Sequence, residues 1–263
     1  MSLPSPPRGG SAGAVDPPAI RRMFDRIAGR YDLLNSLISL GQHRRWKRLA
    51  AAAASLSPGD LALDVATGTG DIAFALADGG ARVIGLDFAA GMLALGRQRG
   101  RGRPVWFVRG DALRLPFPDD TFGAATIGFT LRNLTSRACL FAELARVTRP
   151  GGRVVVLETS QPRCALLRAL YHGYLRAAAS LAPLLSEGAA YRHLARTVIA
   201  FPPAEEIADE FGAAGLQRVL FRRLFLGTVA VHVGEVGREA KTSRPAGSRA
   251  ARNACLFTDR SVG

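Results

Sequence analysis

Between residues 61 and 157, short apolar runs alternate with stretches of helical periodicity across loops of only a few residues. No other feature restricts the fold as tightly. Strands are expected at 61–66, 82–86, 105–109, 124–129 and 153–157, with helices after the first, second and fourth. Pro150-Gly151-Gly152 is read as a turn before the fifth strand. Such alternation argues for a parallel sheet covered on both faces. Residues 161–199 break the rhythm and read as an inserted helical region; a helix at 202–214 follows. The apolar runs 217–225 and 228–233 are separated only by Leu226-Gly227. Strands that close must pair antiparallel, because a parallel crossover needs about a dozen residues. The sheet is therefore expected to end in a hairpin.

With 263 residues, 48% of them hydrophobic, the chain can bury a continuous core and is not a disordered polymer. The three cysteines, Cys139, Cys164 and Cys255, form no C-x-x-C pair, which fits a reducing cytoplasm better than a disulfide scaffold. No run of about 18 uncharged apolar residues is present, so no membrane span is expected. The N-terminus has no apolar core of a secretory signal. Residues 1–16, rich in Pro, Gly and Ser, read as a flexible leader; 17–237 read as one folded domain, and 238–263 as a disordered basic tail. The net charge is +14, carried almost wholly by arginine, and suits anionic lipid heads or nucleic acid without choosing between them. At 20–31, Ile20, Met23, Phe24, Ile27 and Tyr31 recur at helical spacing while Arg22, Arg26 and Arg30 line another face. Arg168, His172 and Arg176 repeat every four residues in the inserted region.

The stretch Asp64–Asp71 is the most informative. Gly68 and Gly70 let the chain turn sharply and come close to a ligand, and the helix that follows offers unpaired N–H groups. By itself the pattern also matches a dinucleotide loop. Three details favour a sulfonium donor over a pyrophosphate: Asp64 inside the first strand, Asp71 at the helix start, and the terminal hairpin. A plain helix cap remains the simpler reading of Asp71 alone. Asp87 and Asp111 follow the next two strands, so four carboxylates gather on one sheet edge, where ligands bind in such folds.

LDVATGTGD (63–71), VIGLD (83–87), GDALRLPFPDDTF (110–122) and RVTRPGGRVVVLE (146–158) resemble the Rossmann-like class I methyltransferases that use S-adenosyl-L-methionine. The resemblance implies an α/β fold: a seven-stranded, mostly parallel sheet whose last strand inserts antiparallel. It also implies cofactor contacts from Asp64, Gly68, Thr69, Gly70, Asp87, Asp111, Ala112 and Gly128. FDRIAGRYDLLNSLISLGQHRRWKR (24–48), TIGFTLRNLTS (126–136) and AYRHLARTVIAFP (190–202) are similar to segments of the menaquinone/ubiquinone C-methyltransferases. Thr130, His193 and Thr197 depart from that family's usual glycine, tyrosine and serine, and Arg149 from its lysine.

What this second resemblance implies is methyl transfer to a ring carbon of a polyprenylated quinol, demethylmenaquinol before the benzoquinol precursor of ubiquinone. Aromatic carbon becomes nucleophilic enough only when a neighbouring phenol loses its proton, so a fixed cation and a proton acceptor are needed. Arg132, beside Asn133, is the candidate cation; Tyr31, Asp32 and His43 are candidate bases, with His43 favoured by its intrinsic pKa. The greasy acceptor implies peripheral contact of the two basic amphipathic stretches with the inner face of the cell membrane, from the cytoplasmic side. A homodimer is left open. Nucleic acid is not expected as a partner, and no metal-ligand spacing is present. Rival readings are another phenol or sterol as acceptor, RNA methylation, a dehydrogenase and a non-enzymatic cofactor-binding module.

Overall fold

The computed structural model describes residues 41–181 and 188–237. Tyr31, Asp32, the 20–31 helix, the leader and the basic tail lie outside the described residues.

Helix α1 (His43–Ala53) precedes β1 (Leu61–Val65), α2 (Asp71–Asp78), β2 (Arg82–Asp87), α3 (Ala90–Arg99), β3 (Val105–Arg109) and β4 (Phe122–Gly128). A 3₁₀ turn, Leu131–Asn133, leads to α4 (Arg137–Val147) and β5 (Thr148–Thr159). The inserted region forms α5 (Ala165–Leu181) and α6 (Gly188–Ile199); α7 (Ala204–Ala213), β6 (Leu216–Leu224) and β7 (Val229–Val236) complete the chain. The sheet order is β3-β2-β1-β4-β5-β7-β6, with β7 antiparallel to both β5 and β6. This is the expected Rossmann-like methyltransferase sheet, hairpin included.

Period-two alternation explains why both faces are covered. On β5, Val154 and Val156 join Leu140, Phe141, Leu144, Ile207 and Phe211 of α4 and α7. Val155 and Leu157 point the other way, to Trp46, Ala50, Ile72 and Leu76 of α1 and α2. A run buried on both sides reads as continuous apolar sequence, as VVVL does. Helix α4 starts cleanly because the Ser136 hydroxyl accepts from the Cys139 amide at 3.2 Å.

One expectation changes. Pro150-Gly151-Gly152 does not stand before the strand but forms a bulge inside it: pairing passes from Phe122–Thr148 to Ala124–Arg153, so β5 carries extra residues opposite Gly123. Glycine is required there, since a Cβ on Gly152 would lie 2.6 Å from the Gly123 carbonyl oxygen. In the inserted region, His172 stays on the face of Arg168 and Arg176, which both reach it, and its Nε2 donates to Gln161 Oε1 at 2.8 Å. Among the described residues no helix is long and apolar enough to cross a membrane, and no group of His, Cys, Asp and Glu is placed to hold a metal.

Candidate active site

From β1 the chain runs outward through β2 to β3 and then crosses back to β4 on the other side of β1, so the strand order reverses there and a crevice is expected at the carboxyl edge between β1 and β4. The sequence-predicted residues distribute themselves on its two banks.

On the first bank, Asp64 is 1% exposed. It accepts hydrogen bonds from Thr67 Oγ1 at 2.6 Å and Thr126 Oγ1 at 2.7 Å. Burial pushes its carboxyl up to about 6 against the pull of these hydroxyls and of Lys47. Asp64 thus ties β1, its loop and β4 together from below. Ala66 then turns with φ of +52°, a left-handed conformation that L side chains adopt reluctantly. The Gly68 amide donates to Asp87 Oδ2 at 2.8 Å, and the Ala89 amide to Oδ1 at 2.9 Å. Gly68 has φ of +56°, and a Cβ there would meet nothing within 4 Å: the backbone borders open space. A Cβ on Gly70 would strike Phe74 at 2.7 Å.

Thr69 lies in the same loop, its hydroxyl accepting from Arg99 Nη1 at 2.6 Å. Asp71 is gripped by Lys47 Nζ and Arg99 Nη2, each at 2.7 Å, and these cations hold its carboxyl below the usual range. Its charge is therefore neutralised by the protein, and it no longer argues for a cationic ligand. Asp111 is exposed and caps its own turn by accepting from the Leu113 amide at 2.9 Å, with Ala112 half-buried beside it. A Cβ on Gly128 would press against Ile72 at 2.6 Å, so the end of β4 stays narrow.

The second bank gathers residues from distant segments. Phe129 turns the chain out of β4 with φ of +54°. Arg132, on the 3₁₀ turn, puts Nη1 2.6 Å from Glu158 Oε1 and its guanidinium 6.0 Å from the Phe129 ring centre. The arginine side chain is 10% exposed and the glutamate 0%, so the pair is out of water. Glu158 Oε1 also accepts from the Thr159 amide at 2.8 Å, while Oε2 and the nearby Ser160 hydroxyl are buried without a hydrogen bond. Tyr171 of α5 is electrostatically coupled to both charges; burial pushes its phenol up to about 12, partly offset by Arg132. Asn133 Oδ1 accepts from His193 Nε2 of α6 at 3.0 Å. Trp46, 6.4 Å from the Phe129 ring and 5.7 Å from that of Phe225, closes an aromatic wall.

Arg132 and Asn133 therefore meet, as their position after β4 suggests. His43 is 3% exposed, on the inward face of α1 with Trp46 and Ala50. Sequence reasoning assigned nothing to Glu158 or Tyr171 and saw His193 only as a departure. For Glu158 a signal existed, a carboxylate closing an otherwise apolar strand.

The model of the ubiE/COQ5 methyltransferase family matches residues 14–236. The chain belongs to that family. It is 45% identical over 221 residues to a protein of Mycobacterium marinum named demethylmenaquinone methyltransferase, covering 83% of this chain and 94% of that one. Among solved structures, the [4+2]-cyclase SpnF superposes with a TM-score of 0.64 at 19% identity, covering 88% of this chain and 99% of that one. A SAM-dependent methyltransferase of Thermotoga maritima gives 0.56 at 20% identity, covering 82% and 99%. These two likenesses concern the fold, and the cyclase shows that the family's fold does not dictate one reaction.

Proposed function

We propose that this family member transfers a methyl group from S-adenosyl-L-methionine to a ring carbon of a polyprenylated quinol, demethylmenaquinol giving menaquinol. What supports this reading is membership of the ubiE/COQ5 family together with 45% identity to a protein named demethylmenaquinone methyltransferase, and the buried Arg132–Glu158 pair holds a guanidinium on the turn after β4. Gly68, Thr69, Gly70 and Gly128 would border the donor, Asp64 holding their loop from beneath. Asp87 would take the ribose hydroxyls, and Asp111 with the Ala112 backbone the adenine; the open space at Gly68 and the anchored Asp87 fit such a group. When bound, S-adenosylmethionine supplies an electrophilic methyl on a positively charged sulfur. Arg132, its charge balanced by Glu158, would donate to the acceptor's phenolic oxygen from guanidinium N–H groups other than the Nη1 that Glu158 holds, and Asn133 would orient the proton-accepting group; arginine itself stays protonated. Trp46, Phe129 and Phe225 would keep the ring in a dry site, where the fixed cation acts with little screening.

The acceptor's tail places the enzyme at a membrane surface. On α5, Leu166, Leu170 and Tyr174 are 70%, 63% and 53% exposed along one face, with exposed Arg168 and Arg176 flanking them. An apolar stripe edged by cations suits an anionic bilayer. Flotation with anionic liposomes at low salt is the check, retention at the bottom of the gradient counting against contact. For substrate and reaction, the quinone profile of a deletion strain decides. Accumulated demethylmenaquinone is expected, an unchanged menaquinone pool contradicts the reading, and a ubiquinone precursor in its place favours the benzoquinol alternative.

A further inference from the structure

We infer that His193 is the base of the reaction, taking the proton of the acceptor's phenolic hydroxyl on Nδ1. The inference rests on the quinol reading above. Asn133 Oδ1 can only accept, so the 3.0 Å contact assigns the hydrogen to His193 Nε2 and leaves the lone pair on Nδ1. Nδ1 makes no hydrogen bond among the described residues. The imidazole is half-buried, on the helix that packs against the turn carrying Arg132 and Asn133. Burial, Arg196 on its own helix and Arg132 on the adjoining turn hold its pKa below the usual histidine range. It therefore stands neutral, as a base must, at pH 7.

The other titratable groups of this bank serve less well. Tyr171 keeps its proton; Glu158, its Oε2 unpartnered, is wholly buried and bound to Arg132 through Oε1; and His172 is tied to Gln161. The step balances simply. The phenol O–H bond breaks and an Nδ1–H bond forms; the oxygen's electrons reach the ring carbon, which bonds the methyl carbon as the C–S pair stays on sulfur. Loss of the ring C–H proton to solvent then restores aromaticity, and the imidazolium returns the first proton to oxygen.

The test uses the full chain with a short-chain demethylmenaquinol and compares wild type with His193→Ala and His193→Gln. A kcat loss of at least about 10²-fold is expected, the scale of a missing general base, with KM and affinity for S-adenosylhomocysteine little changed. The acidic limb of the wild-type pH profile should vanish, and imidazole should partly rescue His193→Ala. Nitrogen-15 NMR of wild type should show Nδ1 unprotonated at pH 7 and shifting when 1,4-naphthalenediol is added. Active wild type with variants that keep its rate and pH profile, or Nδ1 protonated at pH 7, overturns the role alone. Wild type that binds S-adenosylhomocysteine but leaves the quinol unmethylated overturns the substrate reading and the role together.

Discussion

On the β1–β3 bank, Asp64, Asp71, Asp87 and Asp111 all accept hydrogen bonds or ion pairs from the protein's own donors, whereas across the crevice the fully buried Glu158 keeps one oxygen without a partner. A bank whose polar groups are already satisfied is pre-organised and meets its ligand with little rearrangement. A bank that leaves a buried carboxylate oxygen and a serine hydroxyl unpaired holds polar capacity in reserve, costly until something arrives to use it. The first suits a cofactor that binds the same way every cycle, and the second an acceptor whose charge changes during reaction.

The sharpest way to break this contrast is to remove Arg132. Arg132→Met leaves Glu158 as an unpaired buried charge, so a destabilisation of about 3–5 kcal/mol is expected in urea unfolding. Methyl transfer should fall on the order of 10²–10³-fold with the loss of the fixed cation. Adding Glu158→Leu should restore most of the stability and none of the activity; recovery of both would mean the pair only packs.

Asp64 offers a pH test on the other bank. Its folded carboxyl, at about 6, lies above the ordinary value of 3.8, so between about pH 4 and 6 the native state holds a proton that the unfolded chain has released. The stability tied to that proton is complete below pH 4 and is lost as pH rises through 6, a fall of roughly 3 kcal/mol. Asp64→Asn should flatten that part of the pH–stability curve. An unchanged slope would show that the carboxylate is not strained by burial.

Asp87→Ala should weaken S-adenosylhomocysteine binding about 10–100-fold by calorimetry, the scale of hydrogen bonds to a charged group, while the fold survives. Full affinity in that variant would remove the ribose from this carboxylate. The smallest effect is local. Ala66→Gly relieves a left-handed backbone at the crevice and should stabilise by about 1 kcal/mol in thermal unfolding.

The two banks also differ in how far the sequence exposes them. The first is built of local patterns: strand, glycine loop and helix start lie within Leu63–Asp71, and Asp87 and Asp111 close the next two strands, so periodicity places all of them at one sheet edge. The hairpin follows from a two-residue gap. The second bank combines Trp46, Phe129, Arg132, Glu158, Tyr171 and His193, which no local pattern joins. The packing of α6 against the 131–133 turn, and of α5 against α6, brings His193 and Tyr171 to it. His43 has the right chemistry for a base and lies buried on the inward face of α1, while His193 lacks a motif yet meets Asn133. Asp71 misleads for a related reason. Its charge is plain in the sequence, while its neutralisation by Lys47 and Arg99, 24 and 28 residues away, is visible only in three dimensions.

The most direct measurement is transfer of a carbon-13-labelled methyl from S-adenosylmethionine to a short-chain demethylmenaquinol by the purified chain, read by NMR of the product. Label on the ring carbon that lacks a substituent is the expected result. Label on oxygen, or an unlabelled quinol in the presence of protein that binds S-adenosylhomocysteine, would contradict the proposed reaction.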